Sequence, residues 1–165
     1  RTDPPVADGS KVILLDTDHL WGEGGDVAWV WKSFLQGHQP IYMDRIAELT
    51  GDSRGDISGA AGVRLAMGAT RRYADRMNMA AMTPRPDLAS TGYCLAQPGR
   101  EYLTLRPQDE GEFTIDLSDS QERFAAEWCR VSTGAIEPAL AVDGGAVRIF
   151  TPAFNGPAVL HLKRE

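Results

Sequence analysis

The sequence predicts an α/β portion followed by an all-β portion. Residues 11–44 alternate between an apolar strand, a helix and a second strand, and after residue 83 the pattern changes to short alternating runs separated by turn residues. Strands that alternate with helices are typical of a parallel sheet, and many short strands with turn signals are typical of an antiparallel sandwich. We therefore expect two domains, residues 1–86 and residues 87–165.

The α/β portion begins with a continuous apolar run at Val12–Leu15. Such a run suits a strand that is buried on both faces, as in a parallel sheet under helices. Asp26 is a good N-cap for a helix over 27–36, and Gly37 is a suitable stop after it. The next apolar strand is predicted at Pro40–Met43, so the two strands should run parallel.

A polar loop at 45–62 and a second helix at Val63–Met82 complete the α/β portion. The two prolines of Thr83–Ala89 end the helical pattern. Short strands that follow one another closely then predict an antiparallel sandwich. We expect these strands at Gly92–Ala96, Glu101–Arg106, Glu112–Leu117, Phe124–Val131, Ala139–Val142, Ala146–Ile149 and Ala158–Leu162.

The net charge of −6 does not favour a nucleic-acid partner, because nucleic-acid-binding proteins usually present a basic surface. The local exception is a set of arginines at helical spacing, which we interpret as a solvent-exposed helix face: Arg64, Arg71, Arg72 and Arg76. No apolar run reaches the roughly 18 residues of a membrane span. The sequence shows no secretory signal, and both a cytoplasmic location and secretion as part of a longer protein stay open.

Neither the spacing of the cysteines nor any known cofactor-binding motif indicates a metal or a cofactor. Cys94 and Cys129 lack metal-ligand spacing and fall in strand-like segments, so buried free thiols are expected. The sequence contains no Walker loop, no GxGxxG and no HExxH. We therefore predict no cofactor and no metal site.

The motif DTDH places ionisable side chains directly after the first strand. Asp16 and Asp18 share one face while the chain is extended, and with His19 they could perform acid–base or nucleophilic chemistry. Glycoside cleavage commonly uses two carboxyl groups across the scissile bond. The alternative is structural: Asp16 or Asp18 caps the following loop, and His19 is a satisfied hydrogen-bonding residue.

Two further residues complete the candidate site. Trp21 lies in the glycine-rich loop and could stack on a sugar ring, whereas the tryptophans of the helix are expected to pack in the core. Asp44 follows the second strand, and its alternative role is to anchor the loop behind it. In a (β/α)8 barrel the carboxyl ends of the strands face the active site, and a complete barrel needs about 250 residues. The α/β portion is therefore predicted to be the last two βα units of a TIM-like barrel.

Several long phrases carry a family resemblance: VILLDTDHLWG, WVWKSFLQGHQPIYMD, AMGATRRYADRMNMAAMTP and STGYCLAQPGREYLTL. From about Lys11 to Lys163 the chain resembles the C-terminal part of bacterial glycoside-hydrolase-like proteins with a DUF4038-type catalytic barrel. In these proteins a β-sandwich, described as a collagen-binding domain of a collagenase, follows the barrel. The resemblance implies that Lys11–Leu15 and Pro40–Met43 are barrel strands seven and eight. It also implies a nucleophilic carboxylate near Asp16 or Asp18, where relatives in the wider clan use Glu.

These observations leave more than one function open. The first hypothesis is the C-terminal portion of a glycoside hydrolase with a carbohydrate substrate, inactive as an isolated chain because the general acid of such barrels lies on strand four. The alternative is a non-catalytic sandwich that binds polysaccharide or a collagen-like protein. A further expectation is self-association, or pairing with a missing N-terminal barrel portion, because Val12–Leu15 is apolar on both faces.

Overall fold

The structure, a computed structural model, describes residues 3–17, 25–42 and 57–165. Within these ranges the helices are α1 (Val27–Leu35) and α2 (Ile57–Arg76), with short 3-10 turns at Met79–Ala81 and Pro86–Leu88. The strands in the same ranges are β1 (Ile13–Asp16), β2 (His38–Ile41), β3 (Thr83–Pro84), β4 (Cys94–Gln97), β5 (Glu101–Arg106), β6 (Phe113–Asp116), β7 (Arg123–Arg130), β8 (Ile136–Asp143), β9 (Val147–Phe150) and β10 (Ala158–Arg164).

The first two strands form a parallel pair joined through α1, which confirms the predicted strand–helix–strand unit. Asp26 caps α1, because its carboxylate accepts a hydrogen bond of 2.7 Å from the backbone N–H of Trp29. Gly37 follows the helix with a φ of +84°, and a Cβ at this position would lie 2.8 Å from Pro84 Cγ. The turn between α1 and β2 therefore requires glycine.

The ends of these strands differ from the prediction. β1 includes Asp16 itself, and β2 covers His38–Ile41 rather than 40–43. Asp16 is in register with Ile41, so the described ladder ends at this pair. The prediction that β2 continues to Met43 is wrong, because Tyr42 has already left the strand. Asp44, which was expected to follow the strand directly, lies outside the described residues.

Helix α2 begins and ends earlier than the predicted 63–82. Gly62 and Gly68 lie inside it despite the low helix propensity of glycine, because packing of the buried face outweighs local preference. The helix has ended by Asn78, whose φ of −80° and ψ of 78° are not helical. The predicted arginine face is confirmed, since all of its members are exposed: Arg64, Arg71, Arg72 and Arg76.

Residues 83–165 form an antiparallel sandwich. A six-stranded sheet in the order β3-β4-β5-β10-β7-β8 packs on a two-stranded sheet of β6 and β9. All the strands predicted from alternation are present, with bounds shifted by a few residues. The additional strand β3 lies in the proline-bearing segment Thr83–Ala89, which was predicted only to end the helical pattern, and it pairs with β4. Two residues, one of them Pro84, are too few to show a strand pattern in the sequence.

The central strands of the six-stranded sheet are buried on both faces, because the helices pack on one face and β6 and β9 on the other. Successive side chains alternate between these faces. The face towards α1 and α2 contributes Leu95, Leu103, Leu105, Cys129, Val131 and Val159. The face towards β6 and β9 contributes Cys94, Ala96, Tyr102, Phe124, Trp128 and Leu160. The helices and the sandwich therefore share one core, and the division of the chain at residues 86 and 87 stays a prediction.

Both cysteines are free and buried, as the sequence predicts. Cys94 on β4 and Cys129 on β7 are separated in the sheet by β5 and β10, so a disulfide between them would require a large backbone movement. Burial raises the pKa of the Cys94 thiol to about 12 and that of the Cys129 thiol to about 11. Both thiols are therefore protonated at neutral pH.

A charged cluster also connects α2 to the sheet. Arg76, the last residue of α2, forms an ion pair with Glu127 on β7. His161 on β10 lies between Glu127 and Glu101, and His161 and Glu101 are each only 5% exposed. The close contact with His161 and the hydrogen bond from Arg76 lower the pKa of Glu127 to about 2. We refer to these four residues and the adjacent Lys163 as the His161 cluster.

Acid should remove the stability that the ionised Glu127 contributes. Its pKa in the folded chain, about 2, is below the ordinary value of 4.5. The contribution is therefore complete above pH 4.5 and is lost as the pH falls towards 2. We expect Glu127→Gln to lack on the order of 1–3 kcal/mol of this pH-dependent stability. Urea unfolding of the unmodified chain and of Glu127→Gln, from neutral to acidic pH, measures this difference in stability. If Glu127→Gln lost as much stability in acid as the unmodified chain, Glu127 would not be the source of the loss.

Candidate functional site

Of the predicted site residues, the described part of the chain includes Asp16 alone. Asp18, His19, Trp21 and Asp44 lie outside the described residues. A catalytic role for Asp16, Asp18 and His19 therefore stays a prediction, as does substrate binding by Trp21 and Asp44.

Asp16 is the last residue of β1 and lies at the carboxyl end of the parallel pair. By strand alternation it shares a face with Leu14 and with Val12 just before the strand, and these are 64% and 82% exposed. The opposite face carries Leu15, which packs against the core of the helices and sheet. Asp16 thus belongs to the face turned away from the helices, which in a closed barrel is directed towards the barrel axis.

Three chain segments meet at this carboxyl end: Thr17 follows β1, Gly25 precedes α1, and Tyr42 follows β2. A Cβ at Gly25, whose φ is +73°, would lie 2.8 Å from Thr17 Cγ2 and 3.8 Å from Tyr42 Cε2. A larger residue at Gly25 would therefore push the end of β1 away from the start of α1. The glycine-rich loop was visible in the sequence, but no pattern marked Thr17 or Tyr42 as its neighbours.

The sandwich, which is described throughout residues 87–165, presents no row of exposed aromatic side chains. Tyr102 is fully buried and Trp128 is 8% exposed. Phe113 lies between Trp128 and Phe150, with ring centroids 6.1 Å and 5.9 Å away. The remaining candidates, Tyr93 and Phe154, are partly buried. These rings belong mainly to the core, so the binding-module hypothesis lacks the flat aromatic surface on which sugar rings stack.

Two cavities of about 510 Å³ each are lined by residues other than Asp16. One is an apolar groove along β8 and β9, where Leu140 and Ile149 are 93% and 63% exposed. The other lies where the sandwich meets the helical part and includes Gln39 in the first half of β2 and Met82. It is therefore nearer the amino end of the parallel strands than the acidic end.

The described residues carry no arrangement of three or more His, Cys, Asp or Glu side chains that could hold a metal ion. In the same ranges, neither helix has the length and apolar character needed to cross a membrane.

The comparisons with known proteins support a fold rather than a family. No family model and no curated protein matches the sequence. A solved glycoside hydrolase matches with a TM-score of 0.66 and 14% identity, over 83% of this chain and 36% of that chain. A family 5 glycoside hydrolase from Bacteroides vulgatus matches with a TM-score of 0.67 and 14% identity, over 84% of this chain and 35% of that chain. The chain spans about a third of these structures and shares the fold of that part of them.

Proposed function

We propose that this chain is the C-terminal portion of a glycoside hydrolase that acts on carbohydrate. In this proposal β1, α1, β2 and α2 form the last two βα units of a (β/α)8 barrel, and the sandwich supports their outer side. The fold match to part of two glycoside hydrolases supports it.

One observation carries the proposal: among the described residues, the face of β1 and β2 that is turned away from the helices carries exposed apolar side chains. Val12, Leu14 and Ile41 on this face are 82%, 64% and 39% exposed. Strands of a parallel sheet are normally buried on both faces. Further barrel strands, closing round this face, would bury these side chains, and self-association through the same face is the other way to cover them.

The chemistry then follows from the acidic end of the parallel pair. Asp16 or Asp18 supplies one carboxylate, His19 a hydrogen-bonding partner, Trp21 a surface for the sugar ring and Asp44 a polar contact. Glycoside cleavage needs a second carboxyl group, about 5–5.5 Å away for retention of configuration and about 6.5–9.5 Å away for inversion. By the DUF4038-type resemblance the second group comes from barrel strand four, so the isolated chain is inactive.

Measuring glycoside turnover by this chain alone, and by a polypeptide that also contains the other barrel strands, tests the proposal. The isolated chain is expected to turn over neither aryl glycosides nor plant polysaccharides. When the remaining strands are present in the same polypeptide, Asp16→Asn or Asp18→Asn is expected to lower kcat about 10²–10⁴-fold. The control is Asp143→Asn, an exposed carboxylate of the sandwich paired with Arg123, which should leave kcat unchanged. Full activity in both site variants would refute the assigned site.

A further inference from the structure

The His161 cluster is built from neighbouring strands and covered by α2. His161 on β10 is directly opposite Glu127 on β7, and Lys163 on β10 is directly opposite Glu101 on β5. From α2, Tyr73 packs edge-on against the His161 ring, with the ring centroids 5.4 Å apart. The imidazole therefore lies in the contact between the helix and the sheet.

The Nε2 atom of His161 has one clear partner. It lies 2.9 Å from Glu101 Oε1. A carboxylate accepts hydrogen bonds and cannot donate them, so Nε2 carries a hydrogen whether the ring is neutral or charged. The Nζ atom of Lys163 lies 3.7 Å from the same carboxylate oxygen and adds a cation beside it.

The Nδ1 atom, in contrast, has a donor and an acceptor within reach. Arg76 Nη2 lies 3.2 Å away and can only donate, whereas Glu127 Oε1 lies 3.1 Å away and accepts. In the neutral ring Nδ1 has a lone pair and accepts from Arg76. In the protonated ring Nδ1 has a hydrogen and donates to Glu127. The two hydrogen bonds exclude each other, because the bond from Arg76 requires Nδ1 without a hydrogen and the bond to Glu127 requires Nδ1 with one.

We propose that His161 is a proton-dependent switch that sets how firmly the last turn of α2 is attached to the sheet. With a neutral ring, Arg76 donates to both Glu127 and His161. When the ring takes a proton from solvent, Arg76 keeps only Glu127 and faces a second positive charge at the position of its former acceptor. Protonation therefore weakens the attachment of α2 and strengthens the link between β10 and β7.

The groups that face the imidazole come from α2, β5, β7 and β10: Tyr73, Arg76, Glu101, Glu127 and Lys163. Burial raises the pKa of Tyr73, and the pKa of Glu127 is about 2, so neither changes charge near neutral pH. Histidine is the side chain that ordinarily does so between about pH 5 and 8. With a neutral ring, the positive charges of Arg76 and Lys163 balance the negative charges of the two glutamates. Protonation of the ring adds one positive charge to the cluster.

The position of Arg76 determines what the switch affects. Arg76 is the last residue of α2, and the chain then passes through Met79–Ala81 into β3. Loosening this turn would loosen the connection through which the helical part enters the sandwich.

Nitrogen NMR of the imidazole is the most direct test. At pH values where the ring is neutral, His161 is expected to be the Nε2–H tautomer with an unprotonated Nδ1. A neutral Nδ1–H tautomer would overturn the proposal, because Nδ1 could then not accept from Arg76. This measurement uses the unmodified chain and does not depend on the folding of any variant.

Amide hydrogen exchange tests the effect on α2. After correction for the intrinsic pH dependence, exchange in the last turns of α2 is expected to rise about tenfold from a pH at which nitrogen NMR shows the ring neutral to a pH at which it shows the ring protonated. His161→Gln should abolish this rise, because glutamine does not titrate. His38→Gln, which replaces another buried histidine that contacts the Pro5 carbonyl oxygen, should retain it. No rise in the unmodified chain, or the same rise in His161→Gln, would overturn the proposal.

Discussion

Residues 87–165, expressed without the helices, are expected not to form a stable sandwich. On the face of the sheet that packs against α1 and α2, Leu95, Leu103, Leu105 and Val159 are 1%, 0%, 2% and 0% exposed. Removing the helices would expose these side chains to water at about 1.5–3 kcal/mol each. The sum is comparable to the entire folding free energy of a typical domain. Near-UV circular dichroism should therefore show no fixed aromatic packing in the fragment.

A second fragment separates the two explanations for such a failure. Residues 79–165 retain β3 and its pairing with β4 but still lack α1 and all of α2. If loss of the shared core prevents folding, this longer fragment should not fold either. If the longer fragment folds, the missing edge strand β3 explains why residues 87–165 do not. Cooperative unfolding of residues 87–165 alone would contradict the shared core and would favour an autonomous binding module.

Trp31→Ala is expected to lower the free energy of unfolding of the whole chain by about 3–5 kcal/mol. Trp31 on α1 is 0% exposed, and its ring lies 5.9 Å from that of Tyr73 on α2 in an edge-on contact. Tyr73 in turn packs against His161 of the sheet. Removal of the indole would leave a cavity where both helices meet the sandwich.

Urea denaturation with matched variants measures this effect. Leu140→Ala is the control, because Leu140 is 93% exposed and its truncation should change stability by no more than about 0.5 kcal/mol. Trp31→Phe should lie between the two, since it retains an aromatic ring in the same space. A loss below about 1 kcal/mol in Trp31→Ala would mean that the helices repack without the indole.

Much of the secondary structure could be predicted because its signals are local. Asp26 and Gly37 marked the ends of α1, and period-two alternation identified the strands of the sandwich. The end of α2 was placed too late, since the apolar spacing continues past Arg76 through Met77 and Met82 although the backbone has left the helix. Local periodicity shows which residues are buried, and it does not show which regular structure buries them.

The candidate site could be predicted only in part. The sequence placed Asp16 at a strand end, and the parallel pairing of β1 and β2 confirms that position. The roles predicted for Asp18, His19, Trp21 and Asp44 stay predictions, because these residues lie outside the described ranges. The His161 cluster also escaped sequence reasoning, because its contacts join residues 34, 60 and 85 positions apart.

The sequence by itself determined the order of the elements, the parallel unit at the front, the sandwich behind it and the acid at the end of the first strand. These features depend on caps, turns and side-chain alternation within a few residues. Only the tertiary structure decided that one sheet serves both halves, that Thr83–Pro84 joins its edge and that His161 meets Arg76 and two glutamates. Such contacts arise when distant segments compete to bury the same apolar surface, and no local pattern records the outcome of that competition.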